Sequence, residues 1–335
     1  MHYNKQGVGE RGVRNSCTAR LGLFVALFMA AVIALAQNYP TRPVRLIVGF
    51  PPGGAVDLLA RITAPKLGEK WGQQVVVDNR PGAGSRIAAE ITAKAAADGY
   101  TLLMITSSHA VGAGLYGKLA YHPVDSFAAV TLVGSTPLVV LVHPSVPVKS
   151  VKELVALAKA RPGQLNFGSS GTGGITHLAG ELFRGMTGIN IVHVPYKGTG
   201  QAFTDFIAGQ VELMFPALPG ALPHVKAGRV RAVAMSSAKR SPALPEVPTV
   251  VEAGVAGYEV TNWYGLLAPA GTDRKIVERL HDEFAAVLRV SDVAEAFARA
   301  GAEPVSSTPR EFETYLRSEV ARWTKVIKEA GVKVE

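Results

Sequence analysis

Two glycine-rich runs in this chain stand where a helix could begin: Phe50-Pro51-Pro52-Gly53-Gly54 and Gly168-Ser169-Ser170-Gly171-Thr172-Gly173-Gly174. Each follows a short apolar run that reads as a buried strand. The first run holds Val44, Leu46, Ile47 and Val48, and the second is Leu165-Asn166-Phe167. Past the first, Leu58, Leu59, Ile62 and Leu67 recur at helical spacing; past the second, a helix is expected from about Ile175 to Met186. The first amides of a helix have no partners inside it, and its dipole adds positive potential there. Strand, turn and helix in this order therefore make an anion-capturing corner at the carboxyl end of a strand. One such device per domain points to a site between two domains. Asp57 falls in the first helical turn, where the dipole favours an acidic side chain more readily than a ligand contact explains it. A third polar loop, Ser107-Ser108-His109, closes the predicted strand Tyr100–Thr106.

Other chemistries fit less well. Gly82-Ala83-Gly84-Ser85-Arg86-Ile87 begins like a dinucleotide fingerprint, but Ile87 replaces the third glycine and the preceding strand is the second, not the first. Ser169 and Ser170 lie in a G-S-S-G string instead of a G-x-S-x-G elbow. His177 would need a carboxylate partner to complete a triad and reads as a packing or hydrogen-bonding residue. His109, His122, His143 and His193 lie apart from one another, so no metal site and no cofactor are expected. Tyr196 and Trp263 are aromatic candidates for stacking on a solute or for the core, and Tyr196 is favoured for the solute because it directly follows a strand end.

The elements that must position these residues alternate strand and helix from Tyr39 onward, an α/β pattern. Strands are expected at Gln74–Val77, Ile191–Val194, Val211–Phe215 and Val230–Met235. Helices are expected at Ile87–Ala97, Val151–Lys159 with Ser150 as cap, and Gln201–Ala208. Ala128–Val142 reads as extended chain entering a second unit, and Val260–Leu267 as the strand that returns. Amphipathic helices at Asp273–Leu288 and Pro309–Lys328 finish the chain. The expected organisation is a first domain in two segments, 37–136 and 262–335, around a second domain, 137–261, with the crossings serving as a hinge.

The chain has 335 residues, a net charge of +9 and one cysteine, Cys17. Arg11, Arg14 and Arg20 precede an apolar run from Leu21 to Leu35, and Ala34-Leu35-Ala36 offers a small-residue cleavage site, so residues 1–36 read as a secretory signal peptide. The run is short of the ~20 apolar residues of a membrane-spanning helix. Removing the segment takes away Lys5, the three arginines and Glu10 and leaves +6, with no thiol. That charge comes without the basic arm of a nucleic-acid binder, and it would gather small anions.

The stretches VRLIVGFPPGGAVD, VVVDNRPGAG, DGYTLL, FGSSGTGGITHLAGELF, VPYKGTGQAFTDFIAGQVELMF and NWYGLLAPAGT, in this order, resemble the Bug family, the periplasmic solute-binding receptors of tripartite tricarboxylate transporters. The resemblance covers almost the whole chain after the signal. It implies a type II periplasmic-binding fold, two doubly wound α/β domains joined by a hinge around a ligand cleft. It also implies a small carboxylated solute as ligand, the transporter's membrane components as partners, and a monomer. In that family the carboxylate is held largely by backbone amides and water at two glycine loops. Carried over by motif, the positions are Pro52, Gly53, Gly54 and Asp57 in one loop and Ser170, Gly171, Thr172 and Gly173 in the other, with Tyr196 and Gly198 on the wall; Ser108 joins them from its own strand end. Two departures stand out. Ser85 and Arg86 follow Gly84 where the family has glycine and asparagine, and Ala97 precedes Asp98 where a proline is common. Arg86 reads as a solvated surface cation in preference to a second carboxylate anchor.

A receptor needs only oriented donors, a hinge and water exclusion. A hydrolase or lyase acting on a carboxylic acid on the same plan would need a base paired with a nucleophile in the cleft loops, which the sequence does not offer. Export predicts that the mature protein begins at Gln37 and is recovered in the soluble periplasmic fraction. Amino-terminal sequencing of that fraction checks it, and intact chain in the membrane fraction would count against it.

Overall fold

The computed structural model describes residues 1, 2, 39–116 and 118–330. The expected signal segment, its cleavage site and Cys17 lie outside the described residues. By its own contacts the chain divides at Thr41, and everything below concerns the unit Arg42–Glu335.

Val44, Leu46, Ile47 and Val48 are fully buried, as a strand covered on both faces by helices requires. They form β1 (Val44–Val48), followed by β2 (Val75–Asn79) and β3 (Thr101–Thr106). Then come β4 (Phe127–Pro137), β5 (Val139–Val142), β6 (Leu165–Ser169), β7 (Ile191–Pro195), β8 (Leu213–Met214), β9 (Arg231–Met235), β10 (Thr261–Pro269) and β11 (Glu303–Pro304). They make two sheets, in the orders β11-β4-β10-β3-β1-β2 and β7-β6-β8-β5-β9.

The two sheets share one plan. In the first, β1 runs parallel to β2 and β3, and β10 joins antiparallel between β3 and β4. In the second, β6 runs parallel to β7 and β8, and β5 joins antiparallel between β8 and β9. The antiparallel strand in each sheet is the one that has just crossed from the other. Both parallel trios place their central strand, β1 or β6, directly before a glycine loop, so both loops open at the carboxyl edge of a sheet. The core holds Ile47, Leu103 and Leu267 of the first sheet together with Phe167 and Leu213 of the second.

Most expected helices form, with edges moved by a residue or two. Ser150 caps Val151–Ala160 by accepting the amide of Glu153 at 3.2 Å. Four helices differ. Ser107-Ser108-His109 was expected as loop, yet Ser108 opens a helix, Ser108–Leu115, whose Gly112 and Gly114 hide it from propensity. The helix expected at Ile87–Ala97 is Arg86–Ala93, led in by a 3₁₀ turn at Ala83–Ser85. Helices Leu218–Lys226, which carries Pro219 and Pro223, and Ser291–Arg299 were not anticipated. Among the described residues no helix is long and apolar enough to cross a membrane.

The crossings are tied at one side chain. Leu138 is the single residue between β4 and β5, and the return runs from Ser236 to Val260. Ser236, 1% exposed, donates its hydroxyl to the Val260 carbonyl and accepts the Leu138 amide at 2.7 Å. Its backbone amide donates to the Leu138 carbonyl at 2.9 Å, and its carbonyl accepts from Val260 at 3.0 Å. Ser236→Ala would strand the buried Leu138 amide, a cost of about 1–3 kcal/mol. Urea unfolding should show that loss, and an unchanged midpoint would mean the hydroxyl does not tie the crossings.

Candidate functional site

The two loops face one another across a small cavity. Ala55, Ser108, Ile175 and Thr199 on its wall are the first residues of four helices, Ala55–Trp71, Ser108–Leu115, Ile175–Thr187 and Thr199–Ile207; Ala217 caps a fifth, Leu218–Lys226. Five positive helix ends thus converge on one space, and no charged side chain lines it. Hydroxyls complete the wall: Thr106, Ser108, Ser170, Thr176 and Thr199. Asn262 is held in place because Ser107 donates to its Oδ1 at 2.6 Å and its Nδ2 donates to the Tyr264 hydroxyl at 2.8 Å. Ser108 also bridges the lobes, accepting the Ile175 amide at 3.0 Å.

A second, roomier and more open cavity adjoins the first through Phe50 and Ser170. Its wall includes the Gly82–Ser85 turn, Tyr116, Tyr196, Lys197 and Gln201. Lys197 is the one ionic side chain on either wall, and no carboxylate faces it there. Burial, then a hydrogen bond to Asp205 and the charge of that group, push the Tyr196 hydroxyl up to about 12. The phenol therefore keeps its proton and shares it with Asp205, leaving its ring for the cavity.

The first loop is held by an ionised carboxylate. Asp57, 3% exposed, accepts the Gly53 amide at 3.0 Å, Arg61 Nε at 3.0 Å and Asn79 Nδ2 at 2.9 Å. Burial works to raise its pKa, but the bonds from Arg61, Gly53 and Asn79 outweigh it and the net shift is downward. Asn79 Nδ2 also donates to the Phe50 carbonyl at 3.0 Å. Asp57 thus sets the loop from behind.

The second loop is held by neutral groups. The Ser170 amide donates to Thr176 Oγ1 at 3.0 Å, the Gly171 amide to Ser169 Oγ at 3.1 Å and the Gly173 amide to His177 Nδ1 at 3.3 Å. Three loop amides expected to face the solute thus turn inward and the Ile175 amide is taken by Ser108, so what this lobe turns to the cavity is the helix start at Thr176 and the hydroxyls. Behind them His177 stacks on His193 at 3.9 Å between ring centres. Burial, then the charge of Arg184, pulls His177 down to about 4; burial, then the charge of His177, pulls His193 down to about 3. Ser169 Oγ lies 2.6 Å from His193 Nε2. That oxygen also accepts from Gly171, so the serine links the loop to the neutral imidazole. The pair superficially resembles a nucleophile and base, but Ser169 is fully buried and has no access to either cavity.

Of the sequence-derived positions, Gly54, Ser108 and Ser170 line the first cavity, and Ser170, Gly171, Thr172 and Tyr196 the second. Pro52, Gly53, Asp57, Gly173 and Gly198 line neither. A Cβ on Gly198 would lie 2.7 Å from Pro51, so this glycine lets the two loops approach. Trp263 is core: its Nε1 donates to Glu319 at 2.8 Å. Asn262, adjoining Trp263, and Thr106 were missed; a polar residue at the end of an otherwise apolar strand was the available signal. Arg86 lies on neither wall.

Residues 59–332 match the model of the family described as "Tripartite tricarboxylate transporter family receptor". The chain is 40% identical over 319 residues to "Protein BugT" of Bordetella pertussis, covering 95% of this chain and 98% of that one. Among solved structures it is similar to "R. palustris Rpa4515 with adipate", at 40% identity and TM-score 0.86 over 88% of this chain and 99% of that chain. It is also similar to "MatC (Rpa3494) from Rhodopseudomonas palustris with bound malate", at 31% identity and TM-score 0.83 over 86% and 100%.

Because both imidazoles titrate below the ordinary histidine value of ~6.5, the unfolded chain takes up protons that the folded chain refuses. Their contribution to stability is complete above about pH 6.5 and is lost as pH falls toward the folded values. Urea unfolding between pH 7 and pH 4.5 should show a falling midpoint, and His193→Phe should flatten that fall. A wild-type midpoint independent of pH would exclude neutral imidazoles behind the loop.

Proposed function

Because the chain belongs to the tripartite tricarboxylate transporter receptor family, solute capture without chemistry is its task, and we propose that its solute is a small carboxylate held in the cavity where five helix starts meet. The convergence of those ends around a wall with no charge of its own carries the reading. An anion there meets oriented amides and hydroxyls at low reorganisation cost, as at other helix starts. The proteins with adipate and malate at 40% and 31% identity support a carboxylate.

The proposed contacts are Gly54, Ser108, Ser170 and Thr176 at the anchored end and Gly171, Thr172 and Tyr196 along the remainder. Pro52, Gly53, Asp57, Gly173 and Gly198 keep the loops in shape. The proposed domains are 37–136 with 262–335, and 137–261; the end of β4 at Pro137 and the start of β10 at Thr261 support these limits. The receptor works as a monomer, since one chain supplies both walls, and residues 1–36 direct its export to the periplasm, where it hands solute to the membrane components of the transporter.

Native mass spectrometry of the purified protein should reveal the mass of a co-purified acid, and calorimetric titration with that acid, with adipate and malate as references, gives its affinity. Its methyl ester should bind at least about tenfold more weakly, because the helix ends lose their anion. Thr176→Val should cost about 1.5–3 kcal/mol for the lost bond to a charged acceptor, with circular dichroism confirming the fold. An ester that binds as tightly as the acid would overturn the anion site.

A further inference from the structure

The turn that leads into helix Arg86–Ala93 is strained. Ala83 (φ 49°) and Ser85 (φ 78°) are the two non-glycine residues with positive φ among those described, and Gly84 between them has φ 63°. Such conformations are strained for side-chain-bearing residues and persist where surroundings impose them. A glycine would sit at position 85 without that strain, so Ser85 stands there against its backbone preference. Its buried side chain packs where a Cβ on Gly49 would fall, 1.9 Å from Ser85 Oγ.

Arg86 pins this turn. Its Nε donates to the Ala83 carbonyl at 2.9 Å, and its guanidinium lies over the Tyr116 ring, 3.5 Å from the centroid. No carboxylate pairs with it in the described structure, so the stack and the turn are its partners. Tyr116 follows helix Ser108–Leu115 in the first lobe, and its hydroxyl donates across the cleft to the Thr172 carbonyl in the second lobe's glycine loop, at 3.1 Å. The seat on that loop is Gly173, at φ 79°: a Cβ there would come within 3.0 Å of the Tyr116 hydroxyl and 2.8 Å of Leu115. Gly84 approaches the same carbonyl, its notional Cβ 3.4 Å from Thr172 O.

We propose that Arg86, Tyr116 and the Thr172 carbonyl form a latch that holds the two lobes together at the mouth of the second cavity. Arg86 is a positioning residue: it fixes the Tyr116 ring by stacking and is itself fixed by the strained turn. Tyr116 makes the latch's crossing bond, in addition to the Ser108–Ile175 bond deeper in the cleft, and Gly173 provides the clearance. The solute does not enter this argument. The latch rests on the two-lobed cleft but not on any carboxylate, so it stands or falls separately from the solute assignment.

The measurement is the distance between the lobes. The mature chain carries no cysteine once Cys17 has left with the signal, so Lys94→Cys in the first lobe and Lys159→Cys in the second can carry spin labels for pulsed electron resonance, without added solute. Tyr116→Phe keeps the stack and removes the crossing hydroxyl. It should raise the ratio of separated to closed lobes about two- to tenfold, the worth of one neutral hydrogen bond. Arg86→Ala should do the same although Tyr116 is intact, and Arg86→Lys should fail to rescue, because an ammonium neither stacks as a plane nor offers the Nε donor. A Tyr116→Phe distance distribution identical to wild type overturns the latch. So does an Arg86→Ala variant with a lower melting temperature but an unchanged distribution, which would make Arg86 a fold-stabilising residue only.

Discussion

The amides at a helix start cannot be satisfied by their own helix, and everything around this cleft follows from where five such starts are aimed. Four helices begin on the wall of one cavity and a fifth is capped there; no carboxylate side chain lies on that wall, and the one in a first turn, Asp57, sits behind its loop. A cavity walled this way is positive without containing a cation. It favours an anion small enough to reach several helix ends at once, and water where no anion is bound. The sheets serve that aim, since both parallel trios deliver their loops to the same edge.

The lobes stiffen their loops by opposite means. In the first, an ionised carboxylate with Arg61 and Asn79 takes up the Gly53 amide from behind. In the second, Ser169 and His177, both uncharged, take up the Gly171 and Gly173 amides, with a neutral His193 stacked and hydrogen-bonded behind them. The charged solution sits where Arg61 reaches solvent and can be hydrated; the neutral one sits against Phe167, where an ion would be expensive. Both leave the helix starts clear by using up amides that would otherwise compete for the same ligand.

Much of this was legible in the sequence, for definite reasons. β1, β6 and their glycine loops could be read because burial on both faces makes a strand apolar throughout, and glycine followed by helical spacing marks the turn. The crossings could be read from the long extended runs at Ala128–Val142 and Val260–Leu267. Helices Ser108–Leu115 and Leu218–Lys226 could not, because glycines and prolines inside them oppose local propensity and only tertiary packing holds them. The direction of the loop amides was equally hidden. Whether the Gly173 amide faces a solute or His177 depends on a side chain four residues on whose rotamer no pattern specifies. Arg86 illustrates the same limit: its type suggested solvent, whereas its place over Tyr116 depends on a residue thirty positions away.

An anchor built from helix ends also has an evolutionary character. A site made of arginines disappears with one codon; a site made of main chain does not, because every residue has an amide and the helix dipole belongs to the fold. On the proposed reading, drift is channelled to the walls of the wider adjoining space, to positions such as Lys197, Gln201 and Tyr196, where a single change reshapes the fit and leaves the main-chain anchor in place. A scaffold of this kind can move from one acid to another without passing through a form that binds none.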